Sequence, residues 1–168
     1  MMKIIFETER LTIREFSTQD AQFIIKLLNT EGWLKYIGNR NIHSTNDALQ
    51  YINKLNDYSQ KNGFGFWAVE LKNNKNLIGL CGLIKRDELE FIDIGFAFLP
   101  IYNKQGFAFE AAYATLNFAK EKLQIETIAA ITIAENQSSI KLIERLGLHF
   151  KKEITMDDEL LMYYEKSV

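Results

Sequence analysis

Residues 63 to 99 hold three apolar, strand-like segments in immediate succession: "GFGFWAVEL", "NLIGLCGLI" and "LEFIDIGFAFL". Aromatic and branched side chains of this kind fit a pleated, half-buried surface. Only short turn signals separate the segments, Asn73-Asn74 between the first two and Arg86-Asp87 between the last two. A connection that short has no room for a crossover helix, so the segments read as an antiparallel meander and not as βαβ units. That one feature argues against a doubly wound parallel sheet and for an α+β architecture.

The meander runs into "PIYNKQGFAFEAAYATLNFAK", which opens on Pro100, the only proline of the chain. Proline lacks a donor for sheet pairing and ends the third strand. A short polar loop follows, then Gly106, and from there the apolar period turns helical through Phe107, Ala111, Ala114 and Phe118. A strand, a tight loop and a helix N-terminus together form a place where main-chain N–H groups can bind an anion. From the loop alone, an anion cradle and a tight turn that merely needs a glycine are equally good readings. A Walker-type loop would need Gly-Lys-Ser/Thr, and a dinucleotide fingerprint would need three spaced glycines; Gly106 stands alone.

The remaining elements are simpler. Leu11 to Phe16 alternates as a half-buried strand does. Helices are expected from Asp20 to Leu28, from Trp33 to Ile37, and from the Ser44-Thr45 cap towards Lys61. "TIAAITI" reads as a short buried strand, and Asn136 caps a helix that ends at Gly147. "HFKKEITM" and "ELLMYYEK" close the chain as a hairpin across Asp157-Asp158. No repeat or linker divides the 168 residues, which read as one domain.

Composition narrows the function classes. The net charge of −2 provides no basic field for nucleic acid or acidic membrane. The apolar runs are too short to span a membrane, and "MMKIIFETER" is not a secretory leader. A single cysteine, Cys81, rules out an internal disulfide framework, which makes the cytoplasm the expected address.

"YNKQGFAFEA" resembles the acyl-CoA loop of the GNAT acyltransferase superfamily, Gln/Arg-x-x-Gly-x-Gly/Ala. About thirty residues on, "AENQSSIKLIERLGL" is similar to that family's Asn-x-x-Ser/Ala helix and its Lys/Arg-Leu-Gly-Phe turn. "ETERLTIREFSTQDA" resembles the opening of the branch that acetylates ribosomal-protein N-termini. The resemblance spans nearly the whole chain and implies the GNAT fold over residues 1–168, with a mixed, mostly antiparallel sheet of about six to seven strands flanked by helices. It departs from the family pattern at Asn103 (commonly Gln or Arg), at Leu148 (Phe) and at Ile143, where many members carry a tyrosine that protonates the departing sulfur.

What the resemblance implies is an acetyl-CoA-dependent N-acetyltransferase acting by direct amine attack in a ternary complex, with no metal. The strand edge at Ala97, Phe98 and Leu99 would hold the pantetheine arm, and N–H groups from Asn103, Lys104, Gln105, Gly106, Phe107 and Ala108 would hold the pyrophosphate. The Phe98 amide would face the oxyanion of acyl transfer. An alkyl ammonium has a pKa near about 10, so the acceptor must give up a proton. Asp93 is the candidate base, since a charged residue in an apolar strand is rarely idle; Glu90 and Glu70 are weaker alternatives, and a salt-bridged strand residue is the equally weighted structural reading. Ser139 is the candidate proton source for the leaving thiolate, against a plain N3 capping role. Asn136 can cap its helix and contact the CoA arm. Trp33 and Tyr36 lie in the helix pair that would wall the acceptor.

Cys81 reads as a small core residue, and His43 and His149 show no metal or triad spacing. Acidic residues recur near two turns, Asp87, Glu88 and Glu90, and Asp157, Asp158 and Glu159. They would draw cationic acceptors if they faced the cleft, and are ordinary solvated charges otherwise. Ile143 in the tyrosine position keeps a non-catalytic acyl-CoA sensing domain open as the alternative. The acceptor amine and the oligomeric state, a homodimer included, are not read from the sequence.

Overall fold

The structure, a computed structural model, describes residues 2–168. Its strands are β1 (Ile4–Glu7), β2 (Leu11–Arg14), β3 (Phe66–Leu71), β4 (Leu77–Ile84), β5 (Asp93–Phe98), β6 (Thr127–Thr132), β7 (His149–Met156) and β8 (Glu159–Ser167). The helices are α1 (Ala21–Leu28), α2 (Glu31–Tyr36), α3 (Thr45–Asn62), α4 (Phe107–Leu123) and α5 (Gln137–Arg145). The strands form one sheet in the order β1-β2-β3-β4-β5-β6-β8-β7. All neighbours pair antiparallel except β5 and β6, which α4 connects as a crossover. The α+β, mixed and mostly antiparallel sheet matches the sequence expectation with one strand more. That strand is β1, four residues held by pairing with β2; its sequence, Ile-Ile-Phe-Glu, runs three apolar residues together and shows no alternation.

The meander β3–β4–β5 forms as its spacing requires. Its third strand begins later than Leu89, however. Residues 85–92 make a loop pinned by the Lys85 ammonium, which donates to the Arg86 and Leu89 carbonyls. The loop brings Arg86 alongside the first residue of β5.

Helix ends follow local chemistry. Ser44 Oγ accepts the Asp47 N–H at 3.0 Å while Asp47 accepts the Ser44 N–H at 3.0 Å, a reciprocal capping box. At the end of α5, Gly147 takes φ +91°; its N–H donates to Glu144 and that of Leu148 donates to Ile143, closing a Schellman motif.

The sheet is buried on both faces. One packs Leu11, Ile13, Trp67, Ile78 and Leu83 with the α4 residues Ala111, Ala112 and Leu116 and with Ile143 of α5. The other packs Ala68, Leu80 and Leu99 with Ile24, Leu27 and Leu28 of α1, Trp33 of α2 and Ile52 of α3. At roughly 1.5–3 kcal/mol per fully buried large apolar side chain, these two layers supply most of the favourable folding free energy. They also hold α2 and α5 on either side of the β5–β6 junction.

Candidate active site

The junction opens because β5 and β6 pair at one register position only, Asp93 opposite Ala129. Past Asp93 the strands part. In the antiparallel ladder with β4, Ala97 lies opposite Leu80, and the Leu99 N–H donates to Ile78 at 2.9 Å. Main-chain groups of a strand point alternately to its two neighbours. Those of Ala97 and Leu99 therefore turn towards β4, and those of Phe96 and Phe98 turn towards the gap. This corrects the expectation of a free edge at Ala97 and Leu99. Ala97 still lines the gap through its side chain, whereas Leu99 is core. Phe98 keeps a free N–H, and Phe96, which the sequence reading passed over, adds a second.

Beyond Pro100 the loop reaches α4 through Lys104 (φ +61°) and Gly106 (φ +82°). Both lie in the left-handed region, which glycine enters without strain and lysine does not. No main-chain N–H from Lys104 to Phe109 finds an acceptor among the described residues. Asn103 is different: its N–H donates to Pro100 at 3.1 Å, so the row of free donors begins one residue later than expected. Free donors backed by a helix dipole fit a diphosphate.

A cavity of about 420 Å³ occupies the gap. Asp93, Gly95 and Ala97 of β5 line it, as do Trp33 and Tyr36 of α2 and Asn136, Ser139 and Ile143 at α5. Asp93 is 1% exposed. Its one side-chain partner among the described residues is Arg86, Nε to Oδ1 at 3.1 Å. Burial raises the carboxyl from 3.8 to about 6, and the Arg86 charge opposes that rise without cancelling it. A carboxylate that titrates near neutrality can exchange protons with a bound amine. Asp93 is thus salt-bridged, and it also lines the cavity.

Asn136 Oδ1 accepts the Ser139 N–H at 3.2 Å and caps α5. The Ser139 hydroxyl makes no hydrogen bond among the described residues, so it is not the reciprocal half of a capping box. Ile143 is 1% exposed and packs in the core behind Ser139. Trp33 is buried, and its indole N–H has no partner among the described residues. Arg40 and Tyr51 also line the cavity, and Arg40 makes no salt bridge among the described residues. Neither was found from sequence, because nothing local to an exposed loop and a helix face signals a shared wall.

Other candidates fall away. Glu70 lies on β3 and pairs with buried Arg14 at 2.9 Å, in a separate open groove of about 980 Å³. Arg14 also meets Asp20 at 2.8 Å, so the charges of that groove are largely spent on one another. Glu90 is exposed outside the cavity. Burial pushes the Cys81 thiol up to about 12, with Thr115 only partly opposing, and a thiol so placed is no nucleophile. His43 and His149 are both exposed, and among the described residues no group of three or more His, Cys, Asp or Glu gathers to hold a metal ion. Of the six acidic turn residues, Asp157 and Glu159 line the cavity; Asp158, Asp87, Glu88 and Glu90 do not. No helix among the described residues is long and apolar enough to cross a membrane.

A family model described as acetyltransferase (GNAT) domain matches residues 10–149. The chain is 30% identical over 157 residues to the uncharacterized N-acetyltransferase YnaD of Bacillus subtilis (strain 168), a match covering 90% of this chain and 89% of that protein. Among solved structures it superposes on the ribosomal-protein-S5-alanine acetyltransferase of Vibrio fischeri with a TM-score of 0.80 at 20% identity, covering 96% of this chain and 95% of that one. Spermidine N-acetyltransferase of Vibrio cholerae, solved with CoA and spermine, gives 0.77 at 22% identity over 95% and 96% of the two chains. At these identities the two structures share the fold.

Proposed function

This chain belongs to the GNAT acetyltransferase family and is an N-acetyltransferase, and from that premise we propose that it carries an acetyl group from acetyl-CoA to a primary amine by direct attack in a ternary complex. The observation that carries the reading is Asp93: a buried carboxylate lining a cavity that Phe96 and Ser139 also line, at the gap towards which the register turns the Phe98 N–H. Acetyl-CoA supplies a thioester-activated acetyl group. The free N–H groups from Lys104 to Phe109 would bind its diphosphate, and the Phe96 and Phe98 main chain its pantetheine arm.

Within that arrangement Asp93 takes the proton of the acceptor ammonium, and Arg86 compensates the carboxylate charge when the site is empty. The nitrogen lone pair then forms the C–N bond as the C–S bond breaks. The Phe98 N–H donates to the carbonyl oxygen as charge builds on it. Ser139 gives its hydroxyl proton to the leaving sulfur and regains the second proton that the new amide nitrogen sheds, passed through solvent, the part a tyrosine at position 143 would otherwise take. The Vibrio neighbours bear the names of unlike acceptors on one fold, so the acceptor class must be measured. Thiol release from acetyl-CoA with a panel of amino acids, peptides, polyamines and aminoglycosides tests the reading. Acceleration by at least one amine is expected; CoA binding with no turnover on any amine would favour the sensing alternative.

A further inference from the structure

We infer that Arg10 is a positioning residue of the cofactor site, holding the Gln105–Gly106 peptide so that the Gly106 N–H faces the diphosphate. The inference rests on the acetyl-CoA reading above and names the device that would shape its cradle.

Arg10 sits just after the β1 strand, 95 positions before the loop it touches. Its Nη1 donates to the Gln105 carbonyl at 3.0 Å. A trans peptide is planar, with C=O and N–H pointing in opposite directions. Holding the Gln105 oxygen on the Arg10 side therefore directs the Gly106 N–H away from Arg10; the N–H groups of Phe107, Ala108 and Phe109 that follow are also without acceptors among the described residues. The guanidinium has two further contacts: Nε donates to Glu110 Oε2 at 2.7 Å, and Cζ lies 4.3 Å from the Phe107 ring centroid. The main-chain N–H of Arg10 donates to Glu110 Oε1 at 2.9 Å. Nη2 lies 3.3 Å from where a Cβ on Gly106 would stand.

Charge supports the same role. Glu110 is in the first turn of α4, where a bare carboxylate would repel a bound diphosphate. Thr8 Oγ1 donates to Glu110 at 2.6 Å and Arg10 completes its pairing, so the carboxylate is occupied and its charge offset. Burial works to raise the Glu110 pKa, but the bonds from Thr8 and Arg10 outweigh it and hold it below the usual range. Losing Arg10 would thus free the loop and expose a negative charge together. A loop ordered before binding also spares the entropy of ordering it afterwards.

A mere staple between β1–β2 and α4 would stabilise the fold without affecting phosphate recognition, and the experiment separates the two. CoA and pantetheine, which lacks the diphosphate, are titrated calorimetrically into wild type, Arg10→Met, Arg10→Lys and Glu110→Gln, with melting temperatures of the free proteins. Arg10→Met is expected to raise the CoA Kd by about tenfold or more and leave the pantetheine Kd within about twofold. Arg10→Lys should recover part of the CoA affinity through one ammonium bond to Gln105. Glu110→Gln should keep or improve it. Unchanged CoA affinity in folded Arg10→Met, or equal losses for both ligands, would overturn the inference. If Arg10→Met does not fold, the Arg10→Lys and Glu110→Gln comparison decides by the same criterion. Wild type that binds neither ligand would instead remove the acetyl-CoA reading.

Discussion

Arg86 meets Asp93 with a single nitrogen, Nε to Oδ1 at 3.1 Å, and the two side chains differ sharply in exposure, 34% against 2%. The cation belongs to the loop that delays the start of β5, and the carboxylate is the first residue of that strand. Asp93 is thereby kept charged enough to be useful and buried enough to titrate near neutrality.

That balance gives a pH prediction. Activity should rise with pH through about 6, where Asp93 loses its proton, then level off. Asp93→Asn should lower kcat far more than it weakens CoA binding and should abolish this limb. Stability carries the opposite sign: the folded carboxyl holds its proton above the ordinary 3.8, so folding weakens as pH rises from 3.8 to about 6 and is flat beyond. Thermal melts of Asp93→Asn should lack that slope. A loss confined to the cofactor KM would make Asp93 structural.

Replacing Arg86 with Met should move the activity limb to higher pH, because the cation that opposes protonation is gone. Arg86→Lys should move it part of the way back. A pH–rate profile identical in all three proteins would separate Arg86 from the chemistry.

Gly106→Val should weaken CoA binding by about tenfold or more, roughly 1.4 kcal/mol. The reason is φ +82°, which a β-branched residue resists, and the Arg10 guanidinium that the new side chain would displace. Calorimetry on folded protein checks it; unchanged affinity would reduce Gly106 to a turn residue.

Ser139→Ala should slow turnover about 10- to 100-fold and spare CoA affinity, since the Asn136 cap uses the Ser139 main chain and not its hydroxyl. Full activity in this variant would assign the proton to solvent.

At the cavity mouth, Asp157 and Glu159 should attract polycationic acceptors. Exposed charges are screened over a Debye length of about 8 Å at about 0.15 M salt. The kcat/KM for a polyamine should therefore fall with added salt more than that for a singly charged amine. Asp157→Asn with Glu159→Gln should erase the difference, and Asp87→Asn with Glu88→Gln should not. Equal salt responses in wild type would return both residues to plain surface.

Much of this protein was written locally. The meander, the stop at Pro100, the Asn136 cap, the Gly147 turn and the Asp157-Asp158 hairpin each depend on residues within a few positions of one another, so propensity and period suffice to read them. The strand–loop–helix turn at Gly106 was legible for the same reason. What the sequence could not show were the pairings across long separations: β1 on β2, the single β5–β6 contact at Asp93, Arg10 on Gln105, and Arg40 and Tyr51 on one wall with Trp33. Which main-chain groups of β5 remain free is also a register question, and a one-residue shift would exchange Phe98 for Ala97. Sequence alone determined the order of elements and the residue types that could bind and transfer protons. Only the tertiary structure decided which of them meet, because partner choice depends on packing of two apolar layers that no local pattern encodes.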